Sequence, residues 1–335
     1  MNASSIVRFG VIGCSRIALK SVLPALHNLG SVELAMIGSR TAETAQRVAA
    51  QYHAKAWGTY ERVIESDAID AVYISLPNAL HEEWVLRALR AGKHVICEKP
   101  AALSYVAARN MVATARRSGA RLLEGLMFRY HPQHAHVRNL IEEGALGDVL
   151  RVEGCFGYAM PEKNSNSMSG ELGGGSLHAC AVYPIAASRM IFKEEPTGVF
   201  CNLVMAAESG VDTEAHLILQ YPKGRVAFLS SLFGSYYQST YGVLGTKAHI
   251  RVARAYAVPR DMETKILLDV NDQIQETMIP PADHFALMVD DFCSVISKRR
   301  TNDSYEDDLV AQSRVLDAAR LSARESRLVQ ISEIV

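Results

Sequence analysis

Short runs of β-branched and apolar residues alternate with helical patterns along the first 126 residues of the chain. Strands buried on both faces give continuous apolar runs, and the helices that cover them repeat apolar positions every three to four residues. The pattern predicts strands at 7–12, 32–38, 71–76, 93–97 and 121–126, and helices at 16–29, 42–52, 80–91 and 104–118. This alternation predicts a doubly wound parallel sheet, a Rossmann domain. Pro24 falls inside the first helix and should kink it.

Beyond residue 127 the pattern changes to long, partly alternating strands. They are predicted at 147–158, 197–208, 213–221, 225–233, 239–244, 246–252, 263–269 and 273–279, with helices at 133–143, 176–192, 284–299 and 305–324. Tyr221-Pro222-Lys223-Gly224-Arg225 is typical of a hairpin turn. We therefore expect a Rossmann domain over 1–126 and an α+β domain with a large, mainly antiparallel open sheet over 127–335. The last helix could pack on either domain.

The amino-acid composition of the chain argues against several classes of function. The chain has 35 Lys plus Arg against 36 Asp plus Glu, so it has no overall field that would attract nucleic acid or an anionic membrane. No apolar run approaches the roughly 20 residues that span a bilayer, and Met1–Ser5 show no export signal. The six cysteines form neither pairs nor a Cys/His cluster, which argues against a zinc site or disulfides. We expect a cytoplasmic protein without a metal.

The first predicted strand runs directly into Gly13-Cys14-Ser15-Arg16-Ile17-Ala18, a variant of the dinucleotide-binding fingerprint. Gly13 permits the tight turn, Ala18 permits close helix packing, and the N–H groups at the helix start can hold a pyrophosphate. Ser15 replaces the second glycine of the usual motif, which weakens the match. A simple strand-to-helix turn is the alternative interpretation.

The second strand ends at Ser39-Arg40, where NAD-specific enzymes commonly carry an acidic residue. A hydroxyl and a guanidinium suit a 2′-phosphate, so NADP(H) is preferred over NAD(H). In the alternative interpretation Thr41 caps the helix over 42–52 and Arg40 is solvated.

Two further strand ends carry chemically informative residues. Ligands of open parallel sheets bind outside the carboxyl ends of the strands. Leu76-Pro77-Asn78, followed by His81, and Glu98-Lys99-Pro100 both stand at such ends. The second motif would place a cation and an acceptor at the nucleotide cleft. Glu98 and Lys99 could also form an ordinary surface pair.

Taken together, these motifs resemble the glucose-fructose oxidoreductase/inositol dehydrogenase (Gfo/Idh/MocA) family. The resemblance extends over essentially the whole chain. It includes Ala91-Gly92-Lys93-His94-Val95, Met127-Phe128-Arg129-Tyr130-His131-Pro132, Gly144-x-x-Gly147, Gly173-Gly174-Gly175 and Val182-Tyr183-Pro184.

The resemblance implies an enzyme with a nicotinamide cofactor and a second domain whose sheet supports substrate binding and homo-oligomer contacts, as a dimer or tetramer. It implies that Lys99 lies beside the nicotinamide and the reacting oxygen, that Glu98 holds the nicotinamide ribose, and that Tyr183 occupies the proton-donor position. Hydride would pass between nicotinamide C4 and a sugar or polyol carbon. A nearby Lys99 ammonium would favour the phenolate of Tyr183 and so bring the pKa of Tyr183 closer to working pH.

One position departs from the family pattern. The usual Asp one helical turn before the tyrosine is Ala179 here. His178 is a candidate substrate ligand that could replace the missing hydrogen bond, although from the adjacent helix position it would project about 100° away. A core or interface role is the alternative for His178.

Other candidate substrate residues follow from their positions. His131 comes after the last Rossmann strand and could face the substrate, whereas His134 and His136 are expected on a solvated helix face. Tyr236, in the pair Tyr236-Tyr237, could stack on a sugar or a nucleobase, or one of the pair could be core.

Within the family, the motifs look most like ketoreductases that reduce the 3-keto group of nucleotide-linked deoxysugars. The substrate would then be a sugar or nucleotide sugar. Two alternatives stay open: an NADP-dependent sugar or dihydrodiol dehydrogenase working in the oxidative direction, and a non-catalytic cofactor-binding regulator.

Overall fold

The computed structural model describes residues 6–302 and 304–335, and Met1–Ser5, for which we expected no export signal, lie outside them. The chain forms two compact units. The N-terminal unit extends to Gly125 and includes Phe285–Val310; the C-terminal unit comprises Leu126–His284 and Ala311–Val335. The division of function between residues 1–126 and 127–335 stays a prediction.

The N-terminal unit is built on a six-stranded parallel sheet in the order β3-β2-β1-β4-β5-β6. Its strands are β1 (Val7–Ile12), β2 (Val32–Gly38), β3 (Ala56–Gly58), β4 (Ala71–Ile74), β5 (His94–Cys97) and β6 (Leu122–Glu124). Its helices include α1 (Leu23–Asn28), α2 (Ala42–Gln51), α3 (Tyr60–Glu65), α4 (His81–Arg90) and α5 (Tyr105–Ser118). The predicted parallel sheet is confirmed. The sequence pattern missed β3 and α3, which are too short to show a clear period.

The first helix accommodates Pro24 by a change of helix type. A π-helical turn, Ala18–Val22, precedes α1, so Pro24 stands in the first turn of the α-helical part. Proline is tolerated in a first turn, where its missing N–H has the least effect. The chain therefore relieves the conflict with a wider turn ahead of the proline.

The strand register brings three turns to one edge of this sheet. Ile12 pairs with Ile74, and Ile74 pairs with Cys97, so β1, β4 and β5 end side by side. Because parallel strands point the same way, the segments after Ile12, Ile74 and Cys97 emerge together. These segments carry the cofactor motifs of the sequence.

The C-terminal unit contains a nine-stranded sheet in the order β14-β13-β12-β11-β7-β10-β9-β8-β15. Its strands are β7 (Val149–Tyr158), β8 (Gly198–Met205), β9 (Asp212–Gln220), β10 (Val226–Phe233), β11 (Gln238–Gly245), β12 (His249–Val252), β13 (Thr264–Val270), β14 (Gln273–Ile279) and β15 (Val329–Gln330). Among the strand pairs that the structure describes in this nine-stranded sheet, only β7–β10 is parallel. The expected mainly antiparallel sheet is confirmed, and Tyr221–Arg225 joins β9 to β10 as a hairpin.

Helices complete the architecture. They are α6 (Pro132–Glu142), α7 (Val182–Phe192), which follows a π-helical turn at Leu177–Ala181, α8 (His284–Ile296) and α9 (Tyr305–Glu325). None of the helices within residues 6–302 and 304–335 is long and apolar enough to cross a membrane.

One face of the large sheet is buried and the other is partly exposed. Along β10, Ala227 and Leu229 are buried whereas Phe228 between them is 45% exposed. Phe228 pairs with Ile218 on β9, and Ile218 pairs with Phe200 on β8, so three exposed apolar side chains form a row across adjacent strands. Alternation of this kind follows from the two-residue period of a strand.

Candidate active site

The turn after β1 requires glycine at Gly13. Its φ is +95°, and a Cβ there would stand 2.5 Å from the carbonyl oxygen of Ser75. Ser15 follows, and its Oγ accepts a hydrogen bond from the N–H of Ala18 at 3.1 Å and also bonds to Ser75 Oγ. The turn is therefore held tightly against the end of β4, as the close approach of a dinucleotide-binding turn demands.

The residues at the end of β2, where we predict the 2′-phosphate site, are compatible with both interpretations. Arg40 is exposed, and Ser39 is partly exposed. Thr41 caps α2, since its Oγ1 accepts from the N–H of Thr44 at 3.3 Å. An exposed guanidinium and a capping threonine fit both interpretations of this segment, because a solvent-facing Arg40 can also meet a phosphate.

The remaining residues of the predicted phosphate-binding turn differ in exposure. Cys14 and Ile17 are partly exposed, and Arg16 is exposed. Burial raises the pKa of the Cys14 thiol, with smaller opposing effects from Ser39 and Arg47. Cys14 therefore stays a neutral thiol beside the turn and brings no negative charge near a phosphate.

The end of β5 places a carboxylate beside a buried phenol. Tyr73, which is 1% exposed, donates from its hydroxyl to Glu98 Oε1 at 2.5 Å, and the N–H of Lys99 donates to Oε2 at 3.3 Å. Burial raises the pKa of Glu98. The hydrogen bond from Tyr73 and the charge of Lys99 oppose this rise. The charged form of Glu98 thus depends on these two donors.

His81 ties two of the strand-end turns together. Its side chain is fully buried, with Nδ1 2.9 Å from the Pro100 carbonyl oxygen and Nε2 2.9 Å from that of Leu76. Burial lowers the pKa of His81, and the charge of Lys99 acts in the same direction. The ring of His81 therefore lies between the Leu76-Pro77-Asn78 turn and Lys99-Pro100, and its assignment as a cofactor ligand stays a prediction.

In the C-terminal unit, Tyr183 lies in the first turn of α7 within an aromatic cluster. It is 5% exposed, and the rings of Phe128, Phe156 and Tyr256 lie 5.0 to 5.8 Å from its own. Its hydroxyl points toward Met127 Sδ at 3.9 Å. These contacts hold the phenol ring in one orientation by packing.

Three buried histidines, His131, His134 and His284, lie close to this cluster of aromatic rings. His131 caps α6 by accepting from the N–H of Gln133 at Nδ1, and its Nε2 has no hydrogen-bond partner among the described residues. An Nε2–H aimed at a ligand would satisfy it, which agrees with the expectation that His131 faces the substrate. The ring of His284 lies 6.0 Å from that of His131.

The expectation that His134 is solvated is wrong. His134 is fully buried, with Nδ1 2.9 Å from Tyr241 Oη and Nε2 2.9 Å from the Ala255 carbonyl oxygen, while His136 is partly exposed. Burial lowers the pKa of His134 to about 3. Fully engaged and neutral, this ring is a structural element of the unit.

His178 also has partners for both ring nitrogens. Arg320 donates to Nε2 at 3.2 Å, and Nδ1 lies 3.3 Å from the Gly174 carbonyl oxygen. Burial and the charge of Arg320 lower the pKa of His178. The structure thus supports the alternative of a core role for His178 over substrate binding. Ala179 beside it offers no hydrogen-bonding side chain.

The structure separates the two tyrosines of the β10–β11 turn. Tyr236, the predicted substrate residue, is 88% exposed, whereas Tyr237 is partly buried, with its ring 6.4 Å from Phe156 and under the guanidinium of Arg254. Tyr237, rather than Tyr236, therefore borders the cluster that holds Tyr183. Two-residue periodicity could not decide between neighbours in a turn.

Sequence reasoning missed three polar residues that organise these sites. Tyr73 and Ser75 lie two residues apart at the end of β4, and that spacing in an otherwise apolar strand was the available signal. Asp212 accepts from Ser176 Oγ at 2.8 Å and from the N–H of Leu177 at 2.6 Å, and so anchors the start of the Tyr183 helix. No local pattern indicated that long-range contact.

The N-terminal unit fits a nicotinamide dinucleotide. The glycine turn, the start of the first helix and the carboxylate of Glu98 all emerge at the carboxyl edge of a parallel sheet. Within the part of the chain that the structure describes, His, Cys, Asp and Glu side chains form no group of three that could hold a metal ion.

Family models match both halves of the chain. The model described as the oxidoreductase family with an NAD-binding Rossmann fold covers residues 7–126, and the GFO/IDH/MocA C-terminal domain covers 134–251. The chain belongs to the Gfo/Idh/MocA oxidoreductase family. The resemblance, the fold class and the assignment to an oxidoreductase family are thereby confirmed.

Two relatives of the chain are named as enzymes that act on sugars. The chain is 33% identical to a dTDP-3,4-didehydro-2,6-dideoxy-alpha-D-glucose 3-reductase of Saccharopolyspora spinosa, over 95% of this chain and 96% of the relative. It is 29% identical to an NADP(+) D-xylose 1-dehydrogenase of Haloferax volcanii, over 96% and 99%.

A solved structure shows the same arrangement of elements. It is a 3-ketoreductase of Actinomadura kijaniata in complex with NADP and TDP-benzene, with a TM-score of 0.90, 30% identity and coverage of 95% of this chain and 98% of that one. Other structures of that protein carry a replaced lysine or a replaced tyrosine.

Proposed function

We propose that this family member is an NADPH-dependent reductase of a keto group on a nucleotide-linked sugar, with the 3-keto group of a dTDP-linked deoxysugar as its substrate. The observation that carries this proposal is the similarity to 3-reductases of such sugars along nearly the entire chain, at 33% identity. The likeness to a ketoreductase that binds NADP and TDP-benzene supports the same substrate class.

Lys99 and Tyr183 are the proposed catalytic residues. In the Actinomadura kijaniata ketoreductase, the replaced lysine and the replaced tyrosine are as far apart along the chain as Lys99 and Tyr183 are here. That equal spacing supports a matching pair of residues in the two proteins. The chemistry expected of an ammonium and a phenol is a separate reason for assigning these two residues.

The chemistry needs a cation and a proton donor. When bound, NADPH would supply hydride to the carbonyl carbon, and negative charge would grow on the carbonyl oxygen. The ammonium of Lys99 would stabilise this charge, and the hydroxyl of Tyr183 would donate the proton. The aromatic cluster around Tyr183 fixes the direction of its hydroxyl before the reaction, so little reorganisation is required.

The remaining predicted ligands divide by unit. For the cofactor, Gly13, Cys14, Ser15, Arg16 and Ile17 would surround the pyrophosphate, Leu76, Pro77 and Asn78 would border the nicotinamide end, and Glu98 would accept from the ribose. For the substrate, the buried Nε2 of His131 would offer a donor. These assignments rest on the family motifs and on the carboxyl edge of the sheet, where the turns emerge together.

NADP(H) is proposed as the preferred cofactor because Arg40 is exposed where NAD-specific enzymes carry an acid. A guanidinium pairs with a 2′-phosphate through parallel N–H donors. The named Haloferax volcanii and Actinomadura kijaniata relatives, which are associated with NADP, agree with this preference.

We further propose that the chain forms a homo-oligomer through the exposed face of its large sheet. Phe200, Ile218 and Phe228 lie in register there, each more than a third exposed. A contiguous row of apolar side chains is typical of an association surface.

A sugar dehydrogenase acting in the oxidative direction is the second candidate. The likeness to a D-xylose 1-dehydrogenase over 96% of the chain favours it. Ala179 stands in place of the family's usual Asp, and this difference supports the third candidate, a non-catalytic regulator.

Cofactor consumption distinguishes these functions. The purified protein is incubated with NADPH and a panel of dTDP-linked and free keto sugars, and in parallel with NADP and D-xylose or a dihydrodiol. We expect rapid NADPH oxidation with the dTDP-linked 3-keto deoxysugar. NADP reduction alone would favour a dehydrogenase, and cofactor binding without turnover in any mixture would favour a regulator.

A further inference from the structure

The peptide bond that leads into Tyr183 is held by a side chain from another helix of the C-terminal unit. Gln312 on α9 donates from its amide nitrogen to the carbonyl oxygen of Val182 at 2.8 Å, and Tyr183 follows directly after that carbonyl. Gln312 and Val182 are both fully buried. Because a peptide unit is planar, a bond to its oxygen restrains the next Cα and so the direction in which the Tyr183 side chain projects.

Arg189 fixes the orientation of this amide. Its Nη1 donates to Gln312 Oε1 at 3.1 Å, while its Nε and Nη2 donate to the two carboxylate oxygens of Glu195 at 2.6 and 2.7 Å. A guanidinium has donors only, so Gln312 must turn its oxygen toward Arg189 and its NH2 group toward Val182. The chemistry of the groups thus assigns each donor and each acceptor between Glu195 and Val182.

The restrained peptide stands where the helix changes type. A π-helical turn over Leu177–Ala181 precedes α7, which begins at Val182. Pro184, in the first turn of α7, supplies no N–H donor to the preceding turn. Asp212 anchors the start of the π-helical turn, and the bond from Gln312 anchors the peptide that follows its end. Side chains from outside the helix therefore restrain this irregular turn on both sides.

We propose that Gln312 is a positioning residue for the reaction, which directs the hydroxyl of Tyr183 by holding the preceding carbonyl, and that Arg189 supports it by fixing its amide. The aromatic rings around Tyr183 restrain its side chain, and Gln312 restrains the backbone from which that side chain projects. An error of about 1 Å in the place of a reacting group can lower a rate about a hundredfold. The inference rests on the proposed function for the catalytic role of Tyr183 alone.

Two variants of Gln312 remove the bond to Val182 and nearly keep the size of the side chain. Gln312→Met has no amide. Gln312→Glu keeps an acceptor for Arg189, and its carboxylate cannot donate to a carbonyl. We expect each to lower the single-turnover rate constant of hydride transfer, measured with enzyme in excess, by about tenfold. Partial unfolding would lower the amplitude of that reaction instead of its rate constant. If Gln312→Met does not fold, Gln312→Glu decides in the same way.

Ser188→Ala is the matched control, because it removes a buried hydroxyl more than one turn further along α7. That hydroxyl donates to the Ile185 carbonyl oxygen at 2.9 Å and lies 2.8 Å from Tyr221 Oη. We expect Ser188→Ala to lower the free energy of unfolding and to leave the rate constant of hydride transfer unchanged. An equal loss of rate in Ser188→Ala and Gln312→Met would show general loosening of the helix and would overturn the inference.

Hydrogen exchange in the cofactor-free protein tests the restraint without any assumption about function. In both Gln312 variants, the backbone amides of residues 177–186 should exchange about tenfold faster, the effect of one lost hydrogen bond. Exchange in α6 of the same unit is the internal reference and should not change. Unchanged exchange over residues 177–186 in both variants would overturn the inference.

Tyr183→Phe separates this inference from the proposed function. A full rate of hydride transfer in Tyr183→Phe would contradict the proposed role of Tyr183, whereas faster exchange in the Gln312 variants would still support the restraint of its backbone. If Tyr183→Phe slows transfer and the Gln312 variants exchange faster but transfer hydride at the full rate, the positioning role of Gln312 is wrong.

Discussion

Tyr73 and Tyr183 are both almost fully buried phenols, and their surroundings are opposite. Tyr73 donates a hydrogen bond to the carboxyl group of Glu98, whereas Tyr183 is surrounded by the rings of Phe128, Phe156 and Tyr256. A phenol bonded to a carboxylate is held as a donor to that one group. A phenol positioned by ring packing keeps its orientation through contacts to the ring.

A second contrast separates Glu98 of the N-terminal unit from two buried histidines of the C-terminal unit. The N-terminal unit stabilises a carboxylate, Glu98, by donors aimed at it. The C-terminal unit buries His134 and His284, and burial lowers the pKa of each to about 3, so they are neutral. Directed hydrogen bonds oppose the loss of charge at Glu98, whereas desolvation keeps His134 and His284 neutral.

Removing the reactive groups should have the largest effect. We expect Tyr183→Phe and Lys99→Ala each to lower turnover by about tenfold to a thousandfold, the range for loss of a proton donor or of charge stabilisation. The Phe128, Phe156 and Tyr256 contacts are to the ring of Tyr183, so Tyr183→Phe should stay folded. Steady-state kinetics together with circular dichroism measure both expectations.

Matched variants separate chemistry from general damage. Tyr221→Phe removes a buried hydroxyl elsewhere in the C-terminal unit, where it bonds to Ser188 at 2.8 Å, and Lys55→Ala removes an exposed charge. Both should retain turnover near that of the unaltered chain. Turnover equally high in Tyr183→Phe and Lys99→Ala would remove the proposed mechanism.

Acid should destabilise the C-terminal unit through its neutral histidines. His134 has a pKa of about 3 in the folded chain against an ordinary value of 6.5. Between these two pH values the unfolded chain binds a proton at His134 and the folded chain does not. Its contribution to the free energy of unfolding is therefore complete above pH 6.5 and declines as pH falls toward 3. At pH 5 the loss from this one group is about 2 kcal/mol.

Denaturant unfolding at several pH values measures this decline. His134→Gln removes the titrating group and should flatten the dependence on pH, while His136→Gln, at a partly exposed position on the same helix, should leave it unchanged. Equal slopes in His134→Gln and the unaltered chain would contradict the assignment.

The smallest effect is expected at the edge of the N-terminal unit. Because Arg40 is exposed, replacing it disturbs little packing. Arg40→Ala should weaken NADPH binding by about tenfold, the loss of one charge-assisted contact, and leave NADH binding nearly unchanged. Isothermal titration with both cofactors measures this, with Arg90→Ala as a control at another exposed arginine. Equal weakening of both cofactors would mean that Arg40 does not read the 2′-phosphate.

Much of the fold was predictable because its long elements have clear periods. The parallel strands at Val7–Ile12 and Val32–Gly38 match their predicted bounds, whereas the three residues of Ala56–Gly58 are too few to show alternation. The hairpin at Pro222–Gly224 was predictable from its turn residues.

The candidate site was less predictable where it depends on long-range contacts. Gly13 shows its role locally, since a tight turn after a strand calls for glycine. His134 looks like an ordinary polar helix position until Tyr241 and Ala255 are brought against it from more than a hundred residues away. Partners that distant leave no periodic trace in the sequence.

We propose that this chain reduces a sugar ketone with hydride from NADPH. Single-turnover incubation of the protein with C4-deuterated NADPH and a dTDP-linked 3-keto deoxysugar tests it most directly. We expect deuterium on carbon 3 of the recovered sugar, with transfer slowed in Tyr183→Phe and Lys99→Ala. Full occupancy by both ligands with no deuterium on the sugar would contradict it.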